Sequence, residues 1–309
     1  GKRFDELYEN YRDINEMTCG ALNMEEMAEE CDVVFMALPH GVASKAVTPE
    51  ILEKTVVIDF GADFRLKNAD IYEKWYGVKH EGRNLLDDAV YGLCEVNRDI
   101  IKGKRLIANP GCYTTCSILS LRPLVAEGVI DPDTIIVDAK SGVSGAGRGL
   151  ALANMFDECN ESVKAYKIAS HRHTPEIEEQ LGYAAGRDIT ISFTPHLIPM
   201  NRGILATCYA SLVKSLSYND VRDIYEKHYG KEYFIRLTKE GVFPETRWVK
   251  GSNFVDIGFK IDNRTGRIVV VGAIDNLVKG AAGQAVQNMN IVFGFDEKTG
   301  LKFPPIFPA

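Results

Sequence analysis

Between residues 24 and 127 the chain alternates between stretches of helical spacing and short apolar stretches of strand character. "MEEMAEEC" (24–31) has helical spacing and feeds the apolar "DVVFMALP" (32–39). "GVASKAVTPEILEK" (41–54) reads as one helix and "TVVIDFG" (55–61) as a strand. "RLIANP" (105–110) is another strand, and 112–127 is a helix. Strands separated by helices cannot pair as tight hairpins, so this alternation predicts a parallel sheet with helices on its faces.

From about residue 133 the pattern changes. "TIIVDAKSG" (134–142) reads as a strand ending in a glycine-rich loop. "DITISFTPHLIP" (188–199) and "GILATCYASLV" (203–213) alternate as strands of an antiparallel sheet covered on one face do. "SYNDVRDIYEKHYG" (217–230) carries an N-cap signal and helical spacing, and two strand-like runs flanking "NRTG" predict a hairpin. "NLVKGAAGQAVQNMNIVFG" (276–294) has helical periodicity and is expected to return to the first domain. The expected architecture is an α/β, Rossmann-like parallel-sheet domain, joined to an α+β domain built on a largely antiparallel sheet covered by helices. Residues 1–111 with 277–309 form the first and 112–276 the second.

The 309 residues suffice for two cores. A net charge of −7 without a basic stripe argues against nucleic acid as a partner. No run reaches the roughly 18 apolar residues of a membrane span, and no signal peptide is evident, so a cytoplasmic protein is expected. The seven cysteines are irregularly spaced, which suits a reducing compartment better than a disulfide framework. No close second Cys or His pair joins Cys112 and Cys116, so no metal site is expected.

The most informative local feature is "ANPGCYTT" (108–115), where a strand ends and a helix begins. A helix N-terminus offers free N–H groups and partial positive charge, which favour a thiolate. Cys112 stands at that point and is the candidate nucleophile. Cys116, one turn on, reads as a packing residue. A nucleophile needs a proton partner, and His171 and His173 in "HRHTPEIEEQ" (171–180) lie on the loop entering a helix, with Glu176 close by. His196 is a third candidate. His40 sits at a strand end, after Pro39, where open α/β sheets bind ligands. His80 and His228 read as solvated surface residues.

"IANPGCYTT", "DAKSGVSGAGR", "HRHTPEIE", "FTPHLIPMNRGILAT", "ALPHG" and "DFGADFR" together resemble the N-acetyl-γ-glutamyl-phosphate reductases, and more distantly the aspartate-semialdehyde dehydrogenases. The resemblance implies reduction of an acyl phosphate to an aldehyde by NADPH, in arginine biosynthesis, through a thioester on Cys112. By the same resemblance His173 is the acid/base, with Glu176 orienting it. Arg65 meets the phosphate, and Arg172 and Arg202 are weaker candidates for the carboxylate. Ser141, Gly142, Ser144 and Gly145 approach the nicotinamide and ribose, with Pro39 and His40 also on the cofactor side. The Asn276 amide meets the carboxamide, against the simpler reading of Asn276 as a helix N-cap. A homo-oligomer, dimer or tetramer, is implied.

The departure is at the start. The family opens with a strand and a glycine-rich turn, whereas the first 30 residues here contain neither, and "SGVSGAGRG" (141–149) fits that fingerprint poorly. The expectation is therefore an incomplete dinucleotide-binding domain, weak NADPH binding and exposed strand edges. Competing readings are a reductase of a related acyl phosphate (aminoadipyl or aspartyl), a binding protein without cofactor, and a Cys–His hydrolase.

Overall fold

The computed structural model describes residues 1–308. Four short strands, β1 (Val33–Met36), β2 (Val56–Asp59), β3 (Val90–Tyr91) and β4 (Leu106–Ala108), form one sheet in the order β1-β2-β4-β3, every pair parallel. β2 and β4 are buried along their whole length, as central strands covered on both faces must be. Helices α1 (Met24–Glu30), α2 (Pro49–Lys54), α3 (Ala69–Tyr76) and α4 (Cys94–Ile101) connect or flank them.

The segment 41–54 is not one helix. Pro49 lacks the N–H needed to continue a helix, and the chain restarts there, with the Thr48 hydroxyl accepting from the Ile51 amide at 3.4 Å. β3 escaped the sequence reading because two residues carry no period.

A second sheet takes seven strands: β5 (Ile130–Ser141), β6 (Lys164–Ala165), β7 (Ser192–Leu197), β8 (Ile204–Leu212), β9 (Ile235–Leu237), β10 (Val255–Asp262) and β11 (Arg267–Ile274). Their order is β6-β7-β5-β8-β11-β10-β9. β5–β7 and β9–β10 pair parallel and the other neighbours antiparallel, and β10 and β11 form the expected hairpin.

One face of this sheet is covered by α5 (Cys112–Ala126), α6 (Thr174–Ala185) and α7 (Tyr218–Tyr229). Alternation sends Val137, Phe193, Ala206, Cys208, Ile268 and Val270 into that core. The capping box at Ser217 starts α7 as its sequence indicates. α5 is buried nearly all round because it lies between the second sheet, α6 and α7.

The chain then returns through a five-residue π-turn, Val278–Ala282, into α8 (Gly283–Val292), whose Ala285 and Ile291 pack on Val56, Ile58 and Ile107 of the first sheet. Asn276 does not cap this segment. Asp275 does, its carboxylate accepting from the amides of Leu277 (2.8 Å) and Val278 (3.2 Å). His80 is likewise not on the surface: it is 2 % exposed, its Nε2 2.5 Å from the Asp63 carbonyl oxygen. His228 is half-buried beside Glu127.

Candidate active site

Arg65 and Cys112 follow the carboxyl ends of parallel strands β2 and β4, and Tyr91 is the last residue of β3, which pairs with β4. That end of an open α/β sheet is where helix N-termini and loops converge. Cys112 is the first residue of α5, and Gly111 caps the helix in an extended conformation (φ −69°, ψ 156°). These dihedrals suit any residue, so glycine is present for space. A Cβ at Gly111 would lie 2.5 Å from His173 Nε2 and 2.8 Å from Arg65 Nη1. Cysteine, histidine and arginine therefore meet at one backbone position.

Glu176, in the first turn of α6, fastens this corner. Its Oε1 accepts from the Gly111 amide (2.9 Å), the Tyr91 hydroxyl (2.7 Å) and the Thr114 hydroxyl (2.8 Å), and its Oε2 pairs with Arg65 Nη1 at 3.2 Å. The Thr114 hydroxyl also lies 2.6 Å from the Gly111 carbonyl oxygen. Every bond recorded for Glu176 goes to these four groups and none to His173, so the expected role of orienting the imidazole is not the one its geometry serves. It holds the loop before Cys112 and the arginine. Tyr91 was missed: a tyrosine ending a two-residue strand gives no sequence signal.

Arg65 is buried rather than on the surface. Besides Glu176 its Nη2 donates to the Phe60 carbonyl at 2.8 Å, and its Nε is buried without a partner. Burial disfavours its charge, but Glu176, helped by Tyr76, Tyr91 and Asp59, more than compensates, so the guanidinium stays charged.

His173 precedes α6, its Nδ1 buried and unpartnered. Burial, then the Arg65 charge and those of His40 and Lys167, hold its pKa well below the ordinary value, so it is a neutral imidazole able to accept a proton. His171 is enclosed by Tyr113, Tyr166 and Phe193 and meets His173 edge to face at 4.8 Å. Its Nδ1 accepts the His173 amide at 3.1 Å, and burial foremost lowers its pKa to about 2. It positions the loop. His196 lies on β7 with its ring on the opposite side of the sheet from α5, 3.1 Å from Asp138. The cluster thus contains His173 and excludes His196.

Burial pushes the Cys112 thiol up to about 11, against the opposing pull of the Tyr113 amide and Arg65. Burial thus opposes the thiolate that the helix N-terminus favours. Cys116 is fully buried and its thiol is pushed up to about 12 by burial.

Arg172 places its guanidinium over the Tyr76 ring (5.5 Å to the centroid), and exposed His40 packs edge-on to the same ring at 4.8 Å. Both therefore border the Cys112 corner. Pro39 is exposed beside His40. Arg202 is paired with Asp275, its Nη1 lying 3.4 Å from Asp275 Oδ2.

The loop after β5 forms one block with residues 200–203. Gly142 N donates to the Gly203 carbonyl (2.9 Å) and Val143 N to that of Met200 (2.8 Å), while the Ser144 hydroxyl donates to the Asn201 carbonyl (2.6 Å). Asn276 joins the two segments, accepting from Gly203 N (2.7 Å) and donating to the Ser144 hydroxyl (3.0 Å). A Cβ at Gly142 would come 2.4 Å from the Asn201 carbonyl oxygen, so this glycine serves chain-on-chain packing and not approach to a ligand. Gly145 is exposed and faces Ser141, whose own side chain is buried. Asn276 keeps one N–H and one lone pair free. These residues fit the nicotinamide end of a dinucleotide.

Residues 112–276 match "Semialdehyde dehydrogenase, dimerisation domain" and residues 1–104 match "Semialdehyde dehydrogenase, NAD binding domain". The N-acetyl-gamma-glutamyl-phosphate reductase of Lachnospira eligens is 59% identical over 309 residues, covering 99% of this chain and 89% of that protein. The same-named protein of Pelotomaculum thermopropionicum is 53% identical over 308 residues, covering 100% and 89%. Among solved structures, aspartate semialdehyde dehydrogenase II of Vibrio cholerae superposes with a TM-score of 0.66 at 20% identity, over 87% of this chain and 82% of that one. At that identity the likeness shows the fold. Sequence and architecture together place the chain in the semialdehyde dehydrogenase family, among its N-acetyl-γ-glutamyl-phosphate reductases.

Proposed function

We propose that the chain reduces N-acetyl-γ-glutamyl phosphate to N-acetylglutamate semialdehyde and phosphate in the cytoplasm, for arginine biosynthesis, with residues 1–111 and 277–309 as the dinucleotide-binding part and 112–276 as the catalytic and oligomerisation part. The observation that carries this reading is the meeting of Cys112, His173 and Arg65 at Gly111.

In this reading the neutral His173 imidazole takes the Cys112 proton as the sulfur attacks the acyl carbon. The C–S bond forms, the C–O bond to phosphate breaks, and Arg65 neutralises the departing charge through its fork. Backbone N–H groups at the start of α5 face the carbonyl oxygen as negative charge gathers there. NADPH, when bound beside Ser141, Ser144, Gly145 and Asn276, supplies the hydride that converts the thioester to a thiohemiacetal. His173 then returns its proton to the thiohemiacetal oxygen, and removes it again as the C–S bond breaks to release aldehyde and regenerate the sulfur nucleophile. Arg172, against Tyr76, supplies positive charge for the substrate carboxylate. Free, partly exposed cysteines such as Cys31 and Cys159 suit a reducing cytoplasm.

Cys112→Ser is expected to abolish both phosphate release and aldehyde formation, whereas Cys116→Ala is expected to keep turnover at a stability cost of about 1 kcal/mol. Parallel phosphate and aldehyde assays decide. Retention by Cys112→Ser of more than about a hundredth of wild-type turnover overturns the covalent route.

The uncovered face of the seven-stranded sheet suits a homodimer. Across it Ile136, Tyr209 and Val269 stand opposite one another on β5, β8 and β11, half-buried or exposed, with no helix over them.

A further inference from the structure

The π-turn Val278–Ala282 runs directly behind Cys112. A Cβ at Gly280 would come 2.7 Å from Cys112 Cβ and 3.1 Å from its Cα, so backbone lies against the cysteine where any other residue would clash. The neighbouring Lys279 is fully buried, an unusual state for an ammonium group. Its Nζ lies 2.6 Å from Glu95 Oε1, with both side chains 0% exposed, and donates to Gln287 Oε1 at 2.8 Å. It also sits 5.6 Å from the centroid of the Phe234 ring. Glu95 belongs to α4, Gln287 to α8 and Phe234 to the segment before β9, so one ammonium ties the turn to three separated stretches of chain. Asn109, two residues before Gly111, adds a fourth tie by donating to the Ala281 carbonyl at 3.1 Å. A buried ion pair is weak as a source of stability, since an apolar pair of similar size serves as well. Single π-type insertions recur at functional sites.

We propose that the Lys279–Glu95 pair is a positioning device for the nucleophile: it fixes the π-turn so that the Gly280 backbone holds Cys112 at the angle from which its sulfur reaches the acyl carbon. This rests on Cys112 being the nucleophile. Lys279 touches neither substrate nor reacting atoms and acts through Gly280.

The test compares wild type, Lys279→Met, the uncharged double variant Lys279→Met/Glu95→Gln and Gly280→Ala. Three quantities are read: kcat, KM for the acyl phosphate, and the iodoacetamide alkylation rate of each cysteine, mapped by peptide mass. The double variant removes the unpaired buried carboxylate that Lys279→Met leaves, and it decides if the single variant does not fold. The expected result is a loss of kcat of at least tenfold with KM within twofold, together with at least fivefold faster alkylation of Cys112, while Cys94 and Cys208 stay unlabelled. General loosening would label those two buried cysteines in step with Cys112 and would overturn the proposal. So would wild-type kcat and Cys112 alkylation in the folded double variant. Turnover by Cys112→Ser would instead remove the nucleophile reading, leaving the alkylation rates to report on the turn alone.

Discussion

Burial governs the protonation of both Cys112 and His173. The thiol is pushed up to about 11 and the imidazole is held well below its ordinary value, which favours the uncharged form of each. Alkylation of Cys112 by iodoacetamide in the substrate-free protein is therefore expected to climb about tenfold per pH unit from pH 7 to 9 without levelling off, since only the thiolate reacts. A plateau below pH 8 would show that the helix end had won and that the thiolate is preformed. Asp59 is a third residue ruled by burial. Desolvation foremost raises its carboxyl to about 7, against the pull of the Gly61 amide, which donates to its Oδ1 at 2.8 Å. Its folded-state pKa exceeds the unfolded one, so its contribution to stability is complete below about pH 4 and is lost as pH rises through 7. Asp59→Asn, which keeps an oxygen for Gly61, is expected to raise stability at pH 8 on the order of 2 kcal/mol and to change little at pH 4. Urea unfolding at the two pH values checks this, and an equal effect at both would mean that charge burial is not the cause.

Elements explain which parts of this site were legible in the sequence. The start of α5 was readable to the residue, because Pro110 and Gly111 cannot continue a strand and the apolar run after Cys112 has helical length. The long strand β8 announces itself by alternation that the core requires, and β10 and β11 by the turn-forming "NRTG" between them. What escaped depends on contacts distant in sequence. Glu176 was singled out as a partner of His173, but its partners Arg65 and Tyr91 lie 111 and 85 residues away, and nothing local says which of its neighbours a carboxylate will choose. The cap at Asp275 and the π-turn after it were invisible because "DNLVKGAAG" has ordinary helical spacing. Burial of His80 follows from Asp63 and the rings of Phe64 and Tyr72 closing over it, again an outcome of tertiary packing. Gly111 sits where one element ends and another begins, and here the structure adds a reason that composition lacks. Gly111→Ala is expected to fold with unchanged helix content, because its dihedrals suit alanine, yet to lose turnover at least tenfold as the new methyl displaces His173 and Arg65. Overpacking of this kind costs about 1–3 kcal/mol. Circular dichroism beside steady-state kinetics separates the two effects, and a fully active variant would show that the histidine has room to retreat.

At the scale of the molecule, the two sheets divide the work, and the second has a face left over. α5, α6 and α7 cover one side of the seven-stranded sheet, and the other side carries Asp138, Thr207 and Val271 in one row and Ile136, Tyr209 and Val269 in the next. The apolar row is central, since β5, β8 and β11 are inner strands flanked by β7 and β10. A monomer would keep Ile136 36% exposed and leave a flat mixed surface in water; a second copy placed face to face would bury it, at about 25 cal/mol for each Å² of apolar area removed from water. A two-fold axis across this face sets each row near its own counterpart, so one changed residue acts twice. Tyr209→Arg introduces two like charges into such an interface and removes two aromatic rings, while within one chain the half-buried position tolerates a long side chain that can reach solvent. The expected outcome is a shift from dimer to monomer at micromolar concentration in sedimentation velocity, with the fold retained. The Cys112 corner is built within one chain, so alkylation of Cys112 should remain within about twofold of wild type, as expected for a substitution on the far side of the sheet. A variant that stays dimeric would place the interface on another surface.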